Sequence, residues 1–125
     1  MTGPVVAALR AHAAGLHPDQ AGTELLIGHS GILPRDDFAG FIHTGTGISD
    51  GTTQLAWIDW DAALTALHLG QIPLCGGEQR ILQLAASIAD GTLVSLRQAI
   101  PGLDNRNLKL LITAIQHAAG QHPRR

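Results

Sequence analysis

The chain has 125 residues, of which 45% are hydrophobic and 3% aromatic, and its formal net charge is −2. This length fits one domain with a core of its own, and the apolar content excludes a disordered chain. The charge favours neither a nucleic-acid nor a membrane partner, and no apolar run is long enough to span a bilayer. Cys75 is the single cysteine, and the N-terminal stretch lacks the pattern of a signal peptide. We therefore predict a soluble, cytoplasmic protein without membrane contact.

Two helices are expected at the start of the chain, in TGPVVAALRAHAAGL and HPDQAGTELLIGHSG. Thr2 is predicted to cap the first helix and Gly15 to end it in the left-handed conformation. Gly31 is predicted to close the second helix. Gly22 and Gly28 weaken this second helix by about 1 kcal/mol each if they lie in its interior.

A β-hairpin is expected in FAGFIHTGTGISDGTTQLAWIDW, after a turn in LPRDDF. Asp50-Gly51 is typical of a two-residue hairpin turn because both residues tolerate positive φ. A turn at that position predicts the cross-strand pairs Thr44–Trp57, His43–Ile58 and Phe41–Trp60. Gly45 and Gly47 would then lie in the first strand, where they indicate a bulge or the close approach of another backbone.

The second half of the chain reads as helices separated by glycine and proline. The predicted helices are DWDAALTALHLG with Asp59 or Asp61 near its start, GEQRILQLAASIADG stopped by Gly91, the short SLRQAI capped by Ser95, and DNRNLKLLITAIQHAAG capped by Asp104. The second of these has its apolar stripe at Ile81, Leu84, Ala85 and Ile88. The last is predicted to bury Leu108, Leu111, Ile115 and either Ala118 or Ala119.

The fold class that follows is mainly α with one β-hairpin (α+β), a compact single-domain helical bundle over residues 1–125. Residues 1–75 form the helices and hairpin and carry two cations against seven carboxylates, a net charge of −5. Residues 76–120 form a tri-helical segment, and residues 121–125 are a flexible tail. Residues 76–125 together carry six cations against three carboxylates, a net charge of +3. Such asymmetry indicates either a nucleic-acid surface or two halves that attract each other.

Glycine-rich and serine-containing stretches do not match known catalytic loops. The run GTGISDG lacks the Lys of a P-loop, and it has Asp50 where the dinucleotide fingerprint needs its third glycine. GHSGI has Ile32 where a nucleophile elbow needs glycine. The hairpin and a helix end account for these two stretches.

Seven histidines raise the question of a metal, but their spacings do not form a ligand motif. We predict no metal, no cofactor and no enzymatic activity. An enzyme would require distant side chains to converge in a pocket, for instance His43 with Asp59.

The tri-helical segment has the order of a helix-turn-helix module, whose second helix reads DNA with its first residues. Here those residues include Asn105, Arg106, Asn107 and Lys109, with Arg97 nearby. They are residue types that contact base edges or phosphates. If this helix binds DNA, replacing Arg106 or Lys109 with Ala should weaken binding without lowering stability.

The pattern IDWDAALTAL followed by GGEQRILQLAASIADGTLVSLRQAIPGLDNRNLKLLITAIQHAAG resembles a group of small uncharacterised actinobacterial proteins. The resemblance covers about the C-terminal two-thirds of the chain. It implies a shared fold in a bacterial protein, and it implies no function and no catalytic residues.

The favoured function is a non-catalytic interaction or regulatory module that acts through protein–protein contacts, with a homodimer as one form. Phe41, Trp57 and Trp60 on the hairpin are the candidate contact residues, because aromatic residues are rare here and are enriched at binding hot spots. The other reading is that these three side chains fill the core. The alternative function is a helix-turn-helix-like DNA-binding regulator that uses the helix over residues 104–119.

Overall fold

The computed structural model describes residues 3–47 and 49–121. Its helices and strands follow the order α1, α2, a 3₁₀ helix, β1, β2, α3, α4, α5 and α6. Their bounds are α1 Gly3–Ala13, α2 His17–His29, the 3₁₀ helix Asp36–Phe41, β1 Ile42–Thr46, β2 Gln54–Ile58, α3 Trp60–His68, α4 Gly76–Asp90, α5 Leu96–Ala99 and α6 Asn105–Ala118. The prediction of a mainly helical, compact single domain with one hairpin is confirmed.

One core joins the N-terminal and C-terminal helices. The central helix α2 packs along both α4 and α6, while α1 covers β2 and the 3₁₀ helix packs against α3. The largest fully buried side chains lie on α1, α2, α4 and the segment between α2 and β1: Leu9, Leu25, Leu26, Ile32, Phe38, Ile81 and Leu82. Among the described residues no helix has both the length and the apolar character needed to cross a bilayer.

Several local signals act as the sequence predicts. Gly15 ends α1 at φ +89°, and Gly91 ends α4 at φ +78°. Asp59 caps α3 by accepting the backbone N–H of Ala62, and Asp104 caps α6 by accepting that of Asn107. Thr2, the predicted cap of α1, lies outside the described residues, as do residues 122–125 of the predicted tail.

Two helix-end predictions and one turn prediction are corrected. Helix α2 ends one residue early, because Ser30 rather than Gly31 takes the left-handed conformation, with φ 65°. The Ser95 side chain makes no cap to α5, whose first turn instead rests on hydrogen bonds to the Ser95 carbonyl. Beyond the turn at residues 32–35, the chain continues as the 3₁₀ helix instead of a simple loop.

The hairpin register differs by one residue from the prediction. Ile42 pairs with Ile58, His43 with Trp57 and Thr44 with Ala56. The strands are joined by a longer connection than a two-residue turn, because the last backbone pairing joins Gly47 to Thr53. The ladder has no bulge, and Gly45 instead accommodates the Trp57 ring, which would lie 3.4 Å from an added Cβ.

The connection is longer because Asp50 organises it from within. The Asp50 carboxylate accepts the backbone N–H groups of Thr52 and Thr53 and the Thr53 hydroxyl. Gly51, at φ +68°, donates its N–H to the Gly47 carbonyl. The side-chain bonds of Asp50 to Thr52 and Thr53 place Thr52 in the connection, so that pairing resumes at Thr53, and a shift of one residue exchanges the faces on which side chains lie.

Helix α6 buries only part of the predicted stripe, namely Leu111 with Ala118 partly buried. Its buried residues are Asn107, Leu111 and Ala114, whereas Leu108 and Ile115 are exposed. The helix packs on α2 and α4 with the side that carries Leu111 and Ala114. In α4, by contrast, the predicted stripe is buried as expected at Ile81, Leu84 and Ala85, with Ile88 partly buried.

Candidate functional site

The three aromatic residues proposed as a contact surface do not lie in one exposed patch. Trp60 begins α3 and is buried in the core, and Phe41 is half-buried with its ring 5.6 Å from that of Phe38. Trp57 alone is exposed, at 37% of its surface. Any contact through these aromatic side chains therefore depends on Trp57.

Trp57 lies between two imidazoles. Its ring centroid is 5.1 Å from that of His12 on α1 and 6.1 Å from that of His43 on β1. The register explains the second neighbour, because Trp57 pairs directly with His43 and shares its face of the hairpin. No sequence pattern indicates His12 as a neighbour of Trp57, since only the packing of α1 over β2 brings it to the hairpin.

His43 and Asp59, the pair singled out for an enzymatic reading, do converge. His43 Nε2 lies 3.2 Å from Asp59 Oδ2, and the two side chains are 48% and 40% exposed. The pKa of Asp59 is lowered, first by the backbone N–H of Ala62 and then by the hydrogen bond with His43. A carboxylate that orients an imidazole in this way resembles the base and orienting pair of general acid–base catalysis.

The chemistry open to His43 and Asp59 depends on the other groups in their cleft. A shallow cleft of about 250 Å³ is lined by His43, Trp57, Ile58, Asp59, Trp60, Asp61 and Asp90. These lining residues include no Ser, Thr, Cys or Lys side chain, and the reactive groups they offer are one imidazole and three carboxylates. Within residues 3–47 and 49–121, no three His, Cys, Asp or Glu side chains are placed to hold a metal ion.

Two wider grooves lie elsewhere on the surface. One, of about 510 Å³, is bordered by α1, α2 and α6, and the ion pair between Arg10 and Glu24 crosses it with 2.7 Å between Nε and Oε2. His117 Nε2 lies 3.1 Å from Gln20 Oε1 in the same groove. The other groove, of about 540 Å³, runs between α1 and β2 and is mainly apolar.

The residues proposed to contact DNA separate into engaged and exposed groups. Arg106 donates to the carbonyls of Gly28 and His29 at the end of α2, at 2.8 and 3.3 Å. Asn107 is buried, and its amide oxygen accepts a hydrogen bond from His29 Nδ1 at 3.0 Å. Arg106 is exposed as well as hydrogen-bonded, and Arg97, Asn105 and Lys109 are exposed too.

Helix α6 instead presents an apolar stripe to solvent, formed by Leu108, Ile112 and Ile115. Their exposed fractions are 37%, 47% and 55%. The spacing of four and then three residues places them on one line along the helix. The preceding segment adds exposed Leu93, Leu96 and Ile100. We call Leu108, Ile112 and Ile115 the α6 stripe.

Apolar residues in the sequence of α6 could have indicated this stripe. Leu108, Leu110, Leu111, Ile112 and Ile115 cover more of the helix circumference than one packed side needs. Comparison of the chain with family models, curated proteins and solved structures gives no match. The stripe and the His43–Asp59 pair are therefore interpreted from their geometry alone.

Proposed function

We propose that this protein is a non-catalytic interaction module of the cytoplasm that binds a helix of a partner protein along the α6 stripe. The observation that carries the proposal is the partial exposure of Leu108, Ile112 and Ile115 on one line of a helix whose adjacent side is already packed. Single exposed apolar residues are normal on protein surfaces. Three in line form the type of surface that receives an amphipathic helix.

The spacing of the stripe supports a helical partner. Leu108, Ile112 and Ile115 follow the alternating four- and three-residue steps of a coiled-coil seam. A second helix laid along α6 would cover all three side chains at once. An extended peptide, whose side chains alternate at every second residue, would not match this spacing.

The charges of α6 support a partner helix with acidic flanks. Arg106 and Lys109 lie on α6, and residues 105–118 contain no carboxylate. Exposed Arg97 on α5 adds a further positive charge close in sequence to Leu96 and Ile100. Acidic side chains on either edge of a bound helix would complement these charges and fix its register.

The test uses two synthetic amphipathic helices, each three heptads long, with Leu at the a and d positions. One peptide has Glu at e and g, and the other has Lys. We expect the acidic peptide to bind at least roughly tenfold more tightly, measured by fluorescence anisotropy. Ile112→Glu should abolish this binding, because it places a charge at the centre of the stripe.

Thr113→Glu is the matched control, since it adds the same charge on the exposed side of α6 away from the stripe. It should bind the acidic peptide with no more than a small loss. Equal binding of the two peptides, or unchanged binding by Ile112→Glu, contradicts the proposal. A labelled DNA duplex is tested in parallel at low salt. Retention that falls with salt and with Lys109→Ala would favour the DNA-binding alternative.

A further inference from the structure

The outer edge of β1 carries backbone groups without a partner in the described structure. The ladder between β1 and β2 shows which groups these are. Asp59 donates to the Phe41 carbonyl and Gly47 to the Thr53 carbonyl, both at 2.8 Å. In an antiparallel pair such bonded positions alternate, so His43 and Gly45 also face β2.

The intervening residues, Ile42, Thr44 and Thr46, therefore direct their backbone groups away from β2. The Ile42 N–H is used, because it donates to the Ala39 carbonyl at the end of the 3₁₀ helix. The N–H and carbonyl groups of Thr44 and Thr46 and the Ile42 carbonyl have no backbone partner within residues 3–47 and 49–121. Thr44 and Thr46 are also exposed as residues.

This edge lacks most of the devices that prevent strand pairing. β1 has the sequence IHTGT, with no proline, no lysine and no carboxylate, and its register with β2 is free of bulges. The packing of β1 is chiefly against β2 and the 3₁₀ helix, which leaves its outer edge uncovered in the described structure. Exposed edges of this type pair with another strand, and only the short length of β1 limits that pairing.

We propose that β1 pairs with β1 of a second copy of this chain, antiparallel and centred on Thr44, to form a continuous four-stranded sheet. The unpartnered groups are self-complementary in this register. Each Thr44 N–H meets the Thr44 carbonyl of the second copy, and each Thr46 N–H meets the Ile42 carbonyl of the second copy. This gives four hydrogen bonds related by one two-fold axis.

The side chains agree with the same register. Thr44 lies opposite Thr44 of the second copy, a favourable β-branched pair. His43 lies opposite Gly45 of the second copy, where the absence of a side chain leaves space for the imidazole. No Asp, Glu, Lys or Arg on β1 places like charges together. A two-stranded hairpin is marginal in isolation, and two further strands extend its hydrogen bonding.

The test is sedimentation velocity over a concentration series with Thr44→Pro and Thr44→Val. Proline removes the outward N–H at the two-fold axis but none of the bonds between β1 and β2, and proline is tolerated in edge strands. We expect wild type to dimerise reversibly and Thr44→Pro to weaken the dimer roughly tenfold or more. Thr44→Val keeps the N–H and the branched shape, so it should dimerise as wild type does.

Amide hydrogen exchange of wild type gives a readout that does not depend on any variant folding. The Thr44 and Thr46 amides should exchange fast at low protein concentration and become protected at high concentration, whereas His43 and Gly45 should be protected at both. A wild type that stays monomeric, fast exchange of Thr44 and Thr46 at every concentration, or dimerisation of folded Thr44→Pro as strong as that of wild type overturns the proposal. Dimerisation lost in Ile112→Glu and kept in Thr44→Pro overturns it as well, and would assign self-association to the α6 stripe.

Discussion

At the scale of single residues, Asp50 determines the shape of the hairpin connection. Its carboxylate accepts the Thr53 hydroxyl and the backbone N–H groups of Thr53 and Thr52. Because these bonds favour the charged form, they lower the pKa of Asp50 to about 2. The sequence marks Asp50 as a turn residue, but the number of donors that reach its carboxylate depends on how the chain closes.

A pH dependence follows from this lowered pKa. The stabilisation from ionised Asp50 is present above the unfolded carboxyl pKa of about 4, and it is lost as pH falls towards the folded pKa of about 2. We expect Thr53→Val to raise the pKa of Asp50 because it removes the hydroxyl donor. An NMR titration of the Asp50 carboxyl measures this change. Thr52→Val, which keeps its backbone N–H, should leave the pKa unchanged, and an equal pKa in Thr53→Val and wild type would contradict this account.

At the scale of elements, the crossing of α2 and α4 depends on a glycine. A Cβ added at Gly22 would lie 2.5 Å from Ala89 Cβ and 2.6 Å from the Ala85 carbonyl oxygen. The sequence analysis treats Gly22 as a weak point of α2, but the structure shows that its lack of a side chain allows the two helices to approach closely. At Gly28 the nearest atom is Leu110 Cδ2, 2.9 Å away, at the end of a flexible side chain.

The same substitution at these two glycines should affect stability to different degrees. We expect Gly22→Ala to lower the free energy of unfolding by about 1 to 2 kcal/mol, because the backbone clash outweighs the gain in helix propensity. Gly28→Ala should change it by less than about 0.5 kcal/mol, since Leu110 can rotate away. Urea denaturation of both variants measures the difference. A Gly22→Ala variant as stable as wild type would contradict this account, because it would show that α2 and α4 can move apart without a loss of stability.

In helix α6 the sequence pattern predicts the ends and the length of the helix but not its buried side. Its caps and its length are predictable, because Asp104 and the run of helix-forming residues act locally. The buried side of α6 is not predictable from the sequence, because its apolar residues allow more than one rotation of the helix about its axis. These residues are Leu108, Leu110, Leu111, Ile112 and Ile115. The position of α2 decides between these rotations, and it selects Leu111 and Ala114 for the core.

At the scale of the whole molecule, the end of α2 is joined to the start of α6. Arg106 donates to the carbonyls of Gly28 and His29, and Asn107 accepts from His29 Nδ1. The ion pairs of the described residues, Arg10–Glu24 and Arg35–Asp37, lie within the acidic first part of the chain, as does the hydrogen-bonded pair of His43 and Asp59. The contact between the two oppositely charged parts is therefore made here by a cation on helix carbonyls, not by an ion pair.

This contact predicts a stability effect at Arg106. We expect Arg106→Ala to lower the free energy of unfolding by about 1 kcal/mol, because the carbonyl end of α2 loses a cationic donor. Lys109→Ala, which removes an exposed cation on the same helix, should change stability by less than about 0.5 kcal/mol. Urea denaturation measures both. The DNA-binding hypothesis predicts unchanged stability for Arg106→Ala, so an Arg106→Ala variant as stable as wild type would contradict the present account.

The sequence by itself determined the features that depend on neighbours along the chain. These are the helices, the caps at Asp59 and Asp104, the glycine stops at Gly15 and Gly91, and the presence of a hairpin. Propensity, capping and positive φ act within a few residues, so local patterns are sufficient to predict them.

Only the tertiary structure decided the features that depend on distant residues. These include the exposure of the α6 stripe, the meeting of His12 with Trp57, and the use of Arg106 at the end of α2. The sequence could propose that His43 and Asp59 converge, but the hairpin register and the start of α3 bring them to 3.2 Å. Each of these features depends on which side of an element is buried when the elements pack together. A local sequence pattern does not specify that choice.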